Sequence, residues 1–403
     1  MNRNATLAFD PAGMPIIDGI PVGPIFGGQI PSGQGGIFPA ADALVDRTSD
    51  GYSINDIWSD FRDAVQTWNT ERNQIADLLS FRTLNAADVV AQNITPPDFE
   101  LASEFGIPVA VGSPAEALPL GYSLKHHSTR SSFTWQALRV MDRRQVEGIL
   151  NSILEADTRN VTGQILHRLF SPKIERNDVG ANVFGLWSND GIAGPPNFMG
   201  NTFPANTSHY LATQNAILDS ADLEDAYRMI RSKGYGIDGR SQILVLCNEA
   251  EAELIATWRA GEESRTGGPV AKFDFIPSKK APPFWTGESV VGRVAPDEYH
   301  GHDILGTYGH GWVLSTPTIP AGYVAVVSTG GPNSERNVVG LREQAGYEGL
   351  LTMPGNWRDF PLVESFFVRT FGTGVRQRGG AVCLQTTASS VYTPPAKELF
   401  GIK

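Results

Sequence analysis

Lysine is scarce in this chain: 8 Lys stand against 24 Arg. Cysteine is scarcer still, with only Cys247 and Cys383, far apart and each inside an apolar run. That excludes a disulfide framework and fits two small buried hydrophobes in a reducing compartment. Nowhere do apolar residues run for the ~20 positions that a membrane-spanning helix needs. The opening MNRNATLAFDPAG has no apolar core segment, so no secretory signal is visible. Clusters of basic residues are missing too. With a formal net charge of −11 and a pI of about 5.2, the chain repels nucleic acid on average, which argues against a DNA reader. The sequence contains no G-x-x-x-x-G-K-S/T, no H-E-x-x-H and no G-x-S-x-G, so the commonest phosphate, zinc-protease and serine-nucleophile signatures are absent.

What is present is irregular at first. Residues 1–50 mix Gly and Pro every few positions with Ile, Val and Phe. Pro and Gly exclude a long helix or a central strand, while the apolar residues argue against a purely solvated tail. The segment reads as an extended arm that needs another surface to lie on. A helix follows, opened by Ser53 with Asp56 three residues on, and carrying Ile54, Ile57, Trp58, Phe61, Val65 and Trp68 as one apolar stripe. From about Ser80 to Arg130 the periodicity fails, and prolines interrupt short β-like runs. So long an irregular stretch reads as a projecting hairpin loop with a task.

Trp135–Phe170 is predicted to be one long helix, with Val146, Ile149, Leu150, Ile153, Leu154, Val161, Ile165, Leu166 and Leu169 on its apolar face. Gly148 and Gly163 are expected to weaken or bend it, and Ser171-Pro172 ends it. Residues 210–345 read as an α/β module. Asp219 or Ser220 caps a helix stopped at Gly234, Ser241–Cys247 is a buried strand, and Asn248 with Glu251 opens a helix reaching toward Gly261. Tyr323–Val327 is a second buried strand. The last block alternates short strands with glycine turns, and no internal repeat is present.

Candidate chemistry is thin. EYHGHDILGTYGHGW places His300, His302, Asp303 and His310 close in sequence, and on a strand His300 and His302 would share a face, as metal ligands can. H-x-H between glycines is also ordinary loop sequence, and no second ligand cluster exists. Carboxylates do not recur as an acid/base pair. FGTGVRQRGGAVCL, Phe371–Leu384, concentrates glycine and arginine, but its Gly372-Thr373-Gly374 lacks the third glycine of a dinucleotide loop. Its expected role is a joint, with Arg376 and Arg378 in ion pairs across a subunit boundary. No cofactor is implied, and metal ligation has only His300, His302 and His310 as weak candidates.

The order of parts carries more information than any motif: arm, helix, projecting loop, spine helix, α/β module, glycine-rich terminal strands. This order, with IPAGYVAVVSTGGPNSERNVVGLRE (Ile319–Glu343), PGNWRDFPLVESFFVRTFGTGVRQRGGAV (Pro354–Val382) and ADLEDAYRMIRSKGYGIDG (Ala221–Gly239), resembles the major capsid proteins of tailed bacteriophages with the Hong Kong 97-like fold, and is similar to those of actinobacteriophages. The resemblance implies an α+β fold. Residues 1–50 would form the N-terminal arm, 51–79 the first helix and 80–132 the extended loop. The peripheral domain would be 133–209 (spine helix 135–170) with 346–403, and the axial domain 210–345. It implies a structural protein, not an enzyme, that assembles with copies of itself into pentamers and hexamers of an icosahedral shell around double-stranded DNA. Trp58, Phe61, Arg376 and Arg378 would be inter-subunit contacts. Its further partners would be a separate scaffolding protein, a portal and a decoration protein. The place would be the virion, after assembly in the host bacterial cytoplasm, without a membrane. Two other readings stay open: a cargo-holding nanocompartment shell like an encapsulin, and a metal-dependent hydrolase using the three histidines. Some relatives weld subunits through a loop lysine; here no lysine lies between Ser80 and Leu124, and Lys125 stands at the loop's base, so no such weld is expected.

Overall fold

The computed structural model describes residues 8–9, 15–17, 20–21, 48–70, 75–92, 116–192, 194–278, 296–354 and 362–402. Most of the expected arm, the middle of the expected loop and the start of the Pro354–Val382 segment lie outside these residues. The chain divides into two compact units.

One unit comprises residues 1–68, 128–154 and 352–368. Its helix Ile54–Thr70 begins as expected, with the Asp56 amide donating to Ser53 Oγ at 3.4 Å. Ile54, Ile57, Phe61 and Val65 are buried, and Phe61 meets Phe367 edge-on with centroids 5.8 Å apart. Asp60 and Glu147 both accept from Arg143, at 3.3 and 2.5 Å.

The expected single spine helix is two helices, Trp135–Val140 and Arg143–Phe170. Neither glycine causes the break. Met141 is extended, and Asp142 starts a new helix by a reciprocal cap: its Oδ1 accepts from the Gln145 amide at 2.8 Å, and Gln145 Oε1 accepts from the Asp142 amide at 3.1 Å. Ile149, expected on the apolar face, is exposed.

The other unit comprises residues 69–127, 155–351 and 369–403. Its centre is a seven-stranded sheet in the order Tyr210–Ala212, Ala381–Gln385, Tyr323–Thr329, Gln242–Cys247, Gly311–Ser315, Gly306–Tyr308, Phe275–Pro277. Gln242–Cys247 is central, parallel to Gly311–Ser315 and antiparallel to Tyr323–Thr329. Both faces are covered, which is why its residues form an unbroken apolar run. Leu244 and Leu246 face one core with Val161, Ile165, Leu166 and Leu169 of the long helix. Ile243, Val245 and Cys247 face a second core built on helices Ser220–Arg231 and Glu249–Ala256. The two cysteines lie on opposite faces, Cys383 in the first core and Cys247 in the second; both are free, and burial pushes both thiols up. Such thiols are inert packing groups.

Ala381–Gln385 comes from the C-terminal block, so this block completes the α/β module by sequence-distant pairing. Of the two expected caps, Asp219 and Ser220, Asp219 closes the helix, in a reciprocal box with Asp222. The pair Asn248–Glu251 does not close a box. Asn248 donates to the Ile319 carbonyl at 2.9 Å and Glu251 accepts from the Gly322 amide at 2.7 Å, so both side chains hold the turn before Tyr323 instead. That helix stops at Ala256, short of Gly261. Gly163 is a contact point: a Cβ there would come within 2.7 Å of Ile402 and of the Phe400 carbonyl.

Candidate assembly joint

The segment around Tyr122 organises the surroundings of the glycine–arginine stretch. Val339–Glu343 pairs antiparallel with Phe371–Val375 and parallel with Ser80–Thr83. Residues 121–124 lie directly on the glycines of this layer. A Cβ on Gly372 would come within 1.9 Å of the Ser123 carbonyl oxygen, nearer than any side chain tolerates, so glycine here serves backbone approach. Ser123 Oγ accepts from the Thr373 amide at 2.9 Å. FGTGV is therefore a packing layer between chain segments, and no phosphate loop.

From this layer a two-stranded ribbon leaves, Ala87–Gln92 paired antiparallel with Glu116–Gly121. Its base is pinned. Tyr122 Oη donates to Asp88 at 2.6 Å, and Asn177 Nδ2 donates to the Ala86 carbonyl at 2.8 Å. Arg342 makes a two-pronged contact with Asp178 at 2.6 and 3.1 Å and donates to the Tyr122 carbonyl at 3.2 Å. Hydrogen bonding from Arg342 holds the Asp178 carboxyl below its usual range. Val89 on the ribbon is 71% exposed.

The strand ends at Val375, so Arg376 and Arg378 lie in the turn before Ala381–Gln385. Arg376 reaches Asp88 at 3.8 Å and keeps about a third of its side chain exposed. Arg378 is 3% exposed. It pairs with Asp190 at 2.5 Å and donates to the carbonyls of Gly185 and Leu186 at 3.1 and 3.3 Å. Its guanidinium stacks 3.9 Å from the Trp187 ring. The cross-boundary pairing expected of Arg378 is thus replaced by one inside its own chain, because an arginine that must be desolvated finds its carboxylate, carbonyls and ring locally. Phe61 is likewise core, packed on Phe367, while Trp58 stays half-buried beside it.

Sequence reasoning missed two polar centres. Arg369, 2% exposed, bridges Asp157 at 2.6 Å and Glu343 at 3.1 Å, both buried. Asn337, fully buried, shares its amide hydrogens among the carbonyls of Asp77, Ser80 and Gly331 at 3.1, 2.8 and 2.9 Å. Its oxygen accepts from Thr329 Oγ1 and the Gly330 amide at 3.1 and 3.0 Å. The available signal was a lone polar residue at the head of the apolar run VVGL.

The histidines do not converge. His300 has φ +48° and, with Gly301, forms the two-residue turn between Glu298–Tyr299 and His302–Asp303, so it does not share a strand face with His302. His310 lies in another such turn, between Gly306–Tyr308 and Gly311–Ser315, edge-on to Tyr227 and Phe273. Among the described residues no group of three or more His, Cys, Asp or Glu is placed to hold a metal ion, and no helix is long and apolar enough to cross a membrane. His209 is a buried histidine with a physical consequence for stability. Fully buried, it donates from Nδ1 to the Ala381 carbonyl at 2.6 Å, and burial drives its pKa down to about 3. The unfolded chain binds this proton at ordinary pH values, so native stability is whole above about 6.5 and drains as pH falls toward the folded value, by up to ~1.4 kcal/mol per unit. Denaturant midpoints at pH 7 and pH 5 measure this. His209→Gln should flatten the difference; an unchanged slope contradicts it.

No family model matches the chain, and no curated protein matches it. Solved structures do. A chain from Mycobacterium phage Patience is 35% identical, with a TM-score of 0.69, over 93% of this chain and 99% of that one. The capsid of a native GTA particle is 14% identical with a TM-score of 0.42, over 78% and 90% of the two chains. The mature capsid of bacteriophage PhiM1 is 10% identical with a TM-score of 0.45, over 78% and 87%. These last two are too distant to bear on function. The long match to the Patience chain is a likeness of sequence and fold together; the chain belongs to the family of tailed-phage major capsid proteins with the Hong Kong 97-like fold.

Proposed function

We propose that the chain is the repeating wall subunit of an icosahedral shell, built from pentamers and hexamers, that encloses the double-stranded DNA of a tailed phage. The observation that carries this is the 35% identity over 93% of the chain to the Patience protein. Exposed apolar side chains support it. Val89, Val140, Val179 and Met199 are 71, 78, 62 and 82% exposed, a cost that neighbouring subunits would remove. In this reading residues 1–50 are the arm. Residues 80–132 are the extended loop, with the ribbon Ala87–Gln92 and Glu116–Gly121 as its stem. Residues 135–170 are the spine, 210–345 the axial domain, and 133–209 with 346–403 the peripheral domain. Trp58 and Arg376 keep surface for inter-subunit contact. The role is structural, not enzymatic. Assembly takes place in the host bacterial cytoplasm with a separate scaffolding protein, a portal and a decoration protein, and the product is the virion capsid.

Sedimentation of the purified full chain, with and without co-expressed scaffolding protein, tests the reading: very large closed particles are expected, and a single small oligomer under every condition contradicts it. The loop chemistry gives a second test. With no lysine between Ser80 and Leu124, mature particles boiled in detergent should run as one band near 43.6 kDa. A covalent ladder would show a weld that the sequence does not provide for.

A further inference from the structure

The chain is acidic as a whole, yet three of its eight lysines meet at one cavity. This cavity, of about 380 Å³, is walled by Lys125, Lys173, Lys397, Arg168 and His167, with Glu175 as the one carboxylate among the described residues that line it. The three lysines are exposed and form its rim; Arg168, 4% exposed, forms its base. Arg168 is held in place by Glu175 at 2.6 Å and the Lys173 carbonyl at 3.3 Å, while its Nε is buried without a hydrogen-bond partner in the chain. A buried guanidinium N–H left unmatched is costly, and a ligand oxygen would satisfy it.

The cations act on a common space. His167 is pushed down first by burial and then by Arg168, Lys125 and Lys397, with only Glu175 opposing. Glu175 is held low despite burial by Arg168, Lys125 and Lys173. Among the described lining residues, four cations against one carboxylate leave an excess of positive charge. Lysine ammonium groups around an arginine fork suit an oxyanion with several acceptor oxygens.

We propose that this cavity binds a phosphate group, from inorganic phosphate or from the backbone of DNA, with Arg168 Nε and the ammonium groups of Lys125, Lys173 and Lys397 as donors. The site is argued from its own residues and stands without the capsid reading.

Equilibrium dialysis of the assembled full chain tests it, using radiolabelled inorganic phosphate in one arm and a short DNA duplex in the other. Saturable binding near one phosphate per chain is expected, weakened at least about tenfold in the triple variant Lys125→Gln/Lys173→Gln/Lys397→Gln. Arg144→Gln, an exposed arginine elsewhere, should leave binding unchanged. Duplex binding that the triple variant also loses, and that free phosphate competes away, makes DNA the source; phosphate binding without duplex binding makes it the free ion. Rim lysines are substituted so that the fold survives, and an unchanged melting midpoint in chloride buffer verifies this, with Lys397→Gln alone as the milder variant. Binding equal in wild type and triple variant overturns the proposal. So does capture of a polyglutamate peptide with no capture of phosphate.

Discussion

Arg369→Met is expected to cost about 3–5 kcal/mol, a large share of a domain's stability, because it withdraws the guanidinium from two buried carboxylates. Asp157 and Glu343 are 5 and 3% exposed as side chains and reach Arg369 from different segments, one from the long helix and one from the strand Val339–Glu343. Methionine fills much of the arginine's volume, so packing is a minor part of the loss. The informative comparison is the triple variant Arg369→Met/Asp157→Asn/Glu343→Gln. Removing the orphaned charges together should restore much of the lost stability, because the cost of the single change lies in uncompensated charge. Melting midpoints and soluble yield of the single and triple variants measure this. If the triple variant is no more stable than the single one, the ion-pair account is wrong and the arginine's shape is what matters.

Asn337→Ala should be comparably severe, at about 3–5 kcal/mol, because each buried group left without a partner costs on the order of 1–3 kcal/mol. The side chain joins Asp77 and Ser80 to Thr329, Gly330 and Gly331, so its loss also releases the turn after Tyr323–Thr329. Asn337→Asp separates charge from shape. Its carboxylate would face three carbonyl oxygens, which raises its folded pKa. The penalty is therefore small below the unfolded value near ~3.9 and grows as pH rises, until the folded value is passed. Stability of Asn337→Asp measured from pH 4 to pH 8 should fall relative to wild type. A constant difference would mean that the carbonyls do not face the site.

Much of the architecture was legible because burial on two faces writes itself as composition. SQILVLC and YVAVV read as buried strands, and the alternation of Leu244 and Leu246 with Ile243 and Val245 across the sheet follows from strand geometry. The Asp219 cap and the Ser53 start were legible for the same reason, since a local pattern has a local cause. What could not be read is set by long-range partners. Met141-Asp142 looks like helix interior until the Asp142–Gln145 cap is seen to compete with propagation. Arg378 looks like a surface arginine until Asp190, Trp187 and two carbonyls are brought to it from 188 to 193 residues away. His300 suggested a strand ligand because H-x-H spacing is compatible with either a strand or a turn, and Gly301 decided for the turn. The lysine-rimmed cavity was invisible for the same reason: Lys125, Arg168 with Lys173, and Lys397 come from three distant parts of the sequence.

The central claim is that this chain builds a closed shell, and cryo-electron microscopy of the purified full chain, alone and co-expressed with a candidate scaffolding protein, tests it most directly. The account predicts closed icosahedral particles assembled from rings of five and six subunits, in which FGTGVRQRGGAVCL is an internal packing joint with Arg378 on Asp190 of the same subunit. A homogeneous small oligomer in every preparation, with no rings of five or six, would contradict it.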